Sequence, residues 1–233
     1  MDTNELYETF REEVVDTARP YLWKPKEVWR YARDAHRMFW RLVGGIPDFT
    51  GSACFINCPQ NVQEVKLHPS ILKITSAYRM SDMQPVDVIN YTDIPVFTEV
   101  DYGRQAAIFF DTTPGLIKYL VIGQEYDTGR LLQIPMFSDQ LQLSIYRLPM
   151  TIISGPDQAI YETKEEHHIH LIDWMKHLAY KKQDAETYDK EKSSSSETRF
   201  REYCEFVKKE WERKKTKPRT VRYGGIGGNG VRW

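Results

Sequence analysis

The sequence predicts an α+β fold: a helical bundle built from both ends of the chain, an inserted antiparallel β domain, and an extended C-terminal tail. Three observations predict it. Apolar residues recur at helical spacing up to about residue 48, and alternate with polar ones between about residues 61 and 153. Helical spacing then returns after Gly155-Pro156. A length of 233 residues suits one large domain or two small ones, and 41% apolar residues suffice for a core. The expected divisions are 1–48 for N-terminal helices, 49–155 for the β domain, 156–217 for a C-terminal helical hairpin and 218–233 for the tail.

Leu6, Phe10 and Val14 recur at helical spacing behind Asp2 and Glu5, which form a capping-box pattern. Pro20 is expected to end this helix. Pro25 suits the first position of the next, where a missing N–H costs nothing. From there Val28, Ala32, Ala35, Phe39 and Leu42 make an apolar stripe, stopped by Gly44-Gly45 and Pro47. Arg30, Arg33, Arg37 and Arg41 lie along another side of the same helix. They form either a basic ridge facing a partner or DNA, or a solvated face partly neutralised by Asp34 at i+4 from Arg30.

In the middle region, Leu72-Ile74-Ser76-Tyr78, Ala106-Ile108-Phe110 and Leu141-Leu143-Ile145 alternate as half-buried strands do. Segments 115–122 and 130–134 flank Asp127-Thr128-Gly129, which predicts a hairpin. Prolines 69, 85, 95, 114, 135 and 149 punctuate the region. Short strands between such breakers imply an antiparallel sandwich or open barrel rather than a parallel sheet.

Beyond Pro156, Leu171, Trp174, Leu178, Ala185 and Tyr188 predict a long helix from about Lys164 to Lys190, about 40 Å at 1.5 Å per residue. Ser193-Ser194-Ser195-Ser196 is expected to interrupt it, with Ser194 and Glu197 as a second capping box. Phe200, Cys204, Val207 and Trp211 then form the stripe of the hairpin's second helix. After Lys217-Pro218 come five glycines among Arg219, Val221, Arg222, Tyr223, Gly224, Gly225, Ile226, Val231, Arg232 and Trp233. Glycine disfavours a helix there, yet the apolar content exceeds what a solubilising tail needs. Such a segment suits an arm that grips a neighbour.

A formal net charge of −1 gives no global attraction to nucleic acid or acidic membranes. The odd count of three cysteines, Cys54, Cys58 and Cys204, with no secretion signal, argues for a reducing compartment and small buried thiols. No apolar run approaches a membrane span, so a soluble intracellular product is expected. His167, His170 and His177 sit one and two helical turns apart and could present imidazoles to a metal. That spacing does not by itself assemble a site, and neither a nucleophile elbow nor a phosphate-binding loop is present. No cofactor, metal or catalytic residue is therefore expected.

Three segments carry a resemblance to a known family. They are Leu22-Trp23-Lys24-Pro25-Lys26-Glu27-Val28-Trp29 through Arg37, Gly129–Pro135 with Leu141–Pro149, and His170–Met175 through Thr187. With the helix from Phe200 and the Val221-Arg222-Tyr223-Gly224-Gly225 end, their order resembles the head-to-tail adaptor (connector) proteins of tailed bacteriophages. The glycine-rich extension to Trp233 departs from that pattern. The resemblance implies a structural virion protein at the neck of the particle: a ring of copies of itself, twelve in the family's usual symmetry, bound to the portal protein. The helical body would build the ring wall and the tail would dock into the portal. The β domain would face tail or nozzle proteins or tail fibres, and phage DNA would pass transiently through the hole. Lys176, Lys181, Lys182, Asp184 and Glu186 are candidate contacts between subunits on the mixed-charge helix. The rival readings are a metal-dependent enzyme using His167, His170 and His177, and a cellular adaptor that binds a peptide or nucleic acid.

Overall fold

The computed structural model describes residues 1–93, 111–160, 162–183 and 187–215. Among these residues the protein is a mixed α/β structure with four α-helices and a curled, antiparallel-rich sheet, and its C-terminal part is helical. Helix α1 (Thr3–Glu13) begins as its sequence dictates. Asp2 accepts the Glu5 N–H at 2.8 Å while Glu5 accepts the Asp2 N–H at 3.0 Å.

The helix does not run on to Pro20. It stops at Glu13, where Val15 takes the left-handed conformation with φ 57°. A buried ion pair enforces this reversal. Arg11 holds Asp16, and Asp16 accepts the N–H groups of Leu22 at 2.9 Å and Trp23 at 3.3 Å. Helix α2 (Pro25–Val43) starts at Pro25 and ends at Gly44, whose φ of 110° suits glycine. Val28, Ala32, Ala35 and Phe39 are buried and Leu42 is half-buried.

The strands are β1 (Ile46–Asp48), β2 (Phe55–Cys58), β3 (Glu64–Lys66), β4 (Ile71–Arg79), β5 (Pro85–Asn90), β6 (Asp111–Gly115), β7 (Tyr119–Glu125), β8 (Thr128–Leu131), β9 (Gln133–Pro135) and β10 (Asp139–Arg147). The main sheet runs β1-β10-β4-β5-β7-β8-β3, with β2 also paired to β10. Strands β7 and β8 form the expected hairpin, and Leu141, Leu143 and Ile145 of β10 are all buried.

Two expectations need correction. Strands β5 and β7 of the main sheet pair in parallel, as do β6 and β9 in a separate two-stranded sheet, so the β region is not purely antiparallel. The chain between β5 and β7 is long enough for the crossover that a parallel pair requires. In β4, Leu72 and Tyr78 are exposed whereas Ile74, Ala77 and Arg79 are buried. The register shifts between Ser144 and Ile145 opposite this strand, so an extra residue flips the buried face partway along it. The Ala106-Ile108-Phe110 strand lies outside the described residues.

Helix α3 (His168–Tyr180) is 13 residues long, about 20 Å, so the single helix expected to reach Lys190 is half that length. No glycine or proline breaks it. The Trp23 indole N–H takes the Ala179 carbonyl at 3.2 Å, and the Asp189 backbone N–H takes that of Tyr180 at 3.1 Å, turning the chain back. Tyr188 is accordingly exposed rather than on the buried face, and Ala185 lies outside the described residues. Helix α4 (Lys190–Lys215) contains the serine run instead of starting after it. Asp189, not Ser194, caps its start, accepting the Lys192 N–H at 3.0 Å. Ser193 and Ser196 are buried against α3, where small side chains let the two helices approach. The helices are antiparallel neighbours, since His177 meets Ser193, Asp173 meets Arg199, and His167 meets Tyr203.

Buried apolar residues form two clusters. One gathers Leu6, Phe10, Trp23, Phe39, Leu171 and Phe200 with others from all four helices. The second gathers Ile56, Val65, Leu120, Leu131, Leu141 and Leu143 within the sheet.

Candidate interaction surface

The arginine row on α2 and the lysines after α3 come together. Arg30, Arg33, Arg37 and Arg41 are all exposed. Arg30, Arg33 and Arg37 line a groove of about 550 Å³ with Lys181 and Lys182, closed by Tyr31, Asp34 and Leu178. Arg30 and Asp34 form no ion pair among the described residues, although both line the groove. Asp34 turns toward α3 and accepts the Trp174 indole N–H at 2.8 Å. Lys182 reaches Glu27 at 3.3 Å, but Arg33, Arg37 and Lys181 form no ion pair among the described residues. The groove is therefore cationic on a chain whose overall charge is near zero.

Lys176, also proposed for subunit contacts, is tied to Glu13 of α1 at 2.7 Å. Asp184, Glu186 and the tail residues Arg219, Val221, Arg222, Tyr223, Gly224, Gly225, Ile226, Val231, Arg232 and Trp233 lie outside the described residues.

The histidines each have a protein partner. His167 Nδ1 lies 2.8 Å from the Tyr203 hydroxyl, and the His170 ring stacks on Tyr203 with centroids 3.4 Å apart. His177 Nδ1 lies 3.1 Å from the Ser193 carbonyl oxygen. Burial pushes the His167 and His170 imidazoles below their ordinary range. Among the described residues no group of three or more His, Cys, Asp or Glu side chains could hold a metal ion. All three cysteines are buried and free, with burial pushing the thiols up to about 11 for Cys54 and about 12 for Cys58 and Cys204.

Sequence reasoning missed the polar junction between the strands and helices. Arg147, at the end of β10, donates to Asp48 and to Glu162, each at 2.6 Å. Asp48 also accepts the Thr50 and Gly51 N–H groups. Burial opposes its ionisation, but Arg147 and these amides outweigh that and hold its carboxyl down at about 2. Only the Asp48-Phe49-Thr50-Gly51 turn signature hints at this in the sequence. Beside it, the buried His36 Nε2 lies 2.7 Å from Thr163 Oγ1, which accepts the Trp40 indole N–H at 2.8 Å.

Among the described residues no helix is long and apolar enough to cross a membrane. Neither family models nor curated proteins match the chain.

Proposed function

We propose that the protein is a head-to-tail adaptor subunit of a tailed bacteriophage, a structural virion protein in the ring between portal and tail. The observation that carries this reading is the cationic α2/α3 groove, exposed and largely unpaired on an otherwise balanced chain. Such a concentration of like charge on one face suits a subunit that meets a partner of opposite charge. In this reading the helices form the bundle of the ring wall, and the sheet is an inserted domain facing tail components. The glycine-laced, apolar segment 218–233 is an extended arm that docks into the portal. Ring closure needs one face of a subunit to meet a different face of the next, and the ring encloses the path of DNA ejection.

Mass measurement with and without purified portal tests the assignment. Ring formation, alone or on the portal, is expected. Deleting Arg219–Trp233 leaves thermal unfolding of the isolated subunit nearly unchanged and abolishes portal attachment. A chain that stays monomeric in the presence of portal defeats the assignment, as does a tail deletion that still attaches.

A further inference from the structure

This same chain carries an exposed acidic row with the spacing of the basic one. Glu5, Glu8 and Glu12 are exposed on α1, on the face opposite the buried Leu6 and Phe10. Their spacing of three and four residues repeats that of Arg30, Arg33 and Arg37 on α2. At 1.5 Å per residue each row spans about 10 Å, so the two charge combs are commensurate. Glu8 and Glu12 have no ion-pair partner among the described residues, like the arginines they match.

The two combs lie on opposite flanks of the α2/α3 pair. On α3, Lys176 reaches Glu13 of α1 while Leu178 lines the groove. Two residues of helix separate them by about 200° around the axis. On α2, Trp29 stacks on Tyr7 of α1 at 5.0 Å while Tyr31 lines the groove, again about 200° apart. A chain's own α1 thus faces away from its own groove.

We propose that the α2/α3 groove is the socket for helix α1 of a neighbouring copy, with Glu8 and Glu12 of one subunit set against Arg33 and Arg37 of the next. The inference rests on the ring reading and names its subunit contact. A plug and socket on opposite flanks make a heterologous contact, the kind that propagates around a ring. Exposed ion pairs are individually weak, so the combs set register and partner choice while the half-buried Leu178 supplies apolar contact. Assembly through this face is salt-sensitive.

Sedimentation of the full chain at low and high salt tests the proposal. The wild type associates at low salt and dissociates at high salt. The Arg33→Glu/Arg37→Glu double variant and the Glu8→Lys/Glu12→Lys double variant each lose association by on the order of tenfold or more, because like charges then meet at every junction. An equimolar mixture of the two regains it, since every junction in an alternating assembly apposes opposite charges. This recovery also shows that both variants are folded. Wild-type-like association of either variant, or no recovery on mixing, overturns the proposal while leaving the ring reading standing. If the arginine variant assembles normally but loses salt-sensitive binding to a short DNA duplex, the groove is a nucleic-acid contact and the proposal is wrong. A wild type that is monomeric at every salt, with and without portal, removes the ring and this contact together.

Discussion

His36 makes the folded protein sensitive to mild acid. Its ring is 1% exposed, with Nε2 2.7 Å from Thr163 Oγ1. Because that oxygen already accepts the Trp40 indole N–H, its own proton is free to point at Nε2, which suits a neutral imidazole. Burial is the largest influence and pushes the imidazole down to about 4, with Glu162 pulling the other way and His168 adding to the push. The unfolded chain, at the ordinary value near 6.5, binds the proton first. The stability tied to a neutral His36 is therefore complete above pH 6.5 and is lost as pH falls toward 4. At about 1.4 kcal/mol per pH unit, the whole loss is about 3 kcal/mol.

Urea denaturation between pH 7 and pH 4 reads this loss, and an NMR titration of the imidazole reads its cause. Replacing His36 by Phe removes the titrating group but strands the Thr163 hydroxyl, costing about 1–2 kcal/mol at pH 7. The variant starts less stable and loses less on acidification, so the two stability curves cross between pH 6.5 and pH 4, and the variant is the more stable of the two at pH 4. A His36 imidazole titrating near 6.5 in the folded protein would refute the reasoning, as would a variant whose stability falls as steeply as the wild type's.

Other substitutions probe packing and the polar junction. Arg147→Met strands Asp48 and Glu162, whose side chains are 10% and 15% exposed, and costs about 3–5 kcal/mol at pH 7 in chemical denaturation. The amides that still hold Asp48 place the loss at the lower end of that range. Because Asp48 and Glu162 are depressed by Arg147, the gap between variant and wild type narrows as pH falls from about 4 to about 2, and a constant gap would contradict the assignment. Ser196→Leu overpacks the α3/α4 contact at a residue 1% exposed and lowers stability by about 1–3 kcal/mol. Ser195→Leu, on the exposed face, stays within about 0.5 kcal/mol of wild type, and equal effects at both positions would mean that α4 packs differently.

Local chemistry in the sequence was enough for much of the helical part. The Asp2/Glu5 box, Pro25 and Gly44 act within one turn of the backbone, so α1 starts and α2 starts and stops where those residues say. The stripes of α2 and of Phe200, Cys204 and Val207, and the β10 alternation, were equally legible, because each is a periodicity of one element. The ends of α1 and α3 were not. Neither is set by a local breaker: the Arg11–Asp16 pair closes one, and Trp23 with Asp189 closes the other, through contacts between residues distant in sequence or buried on folding. The serine run misled for the same reason, since its small side chains favour a turn by propensity but fit the α3/α4 contact.

The arginine row and the lysines after α3 were each visible in the sequence, but their meeting in one groove was not. Nor was the placement of α1's acidic row on the opposite flank. Spacing along a helix fixes which residues share a face, because 3.6 residues per turn is a property of the backbone alone. Which faces meet is decided by how α1, α2 and α3 bury their apolar stripes together, and that is a property of the whole chain.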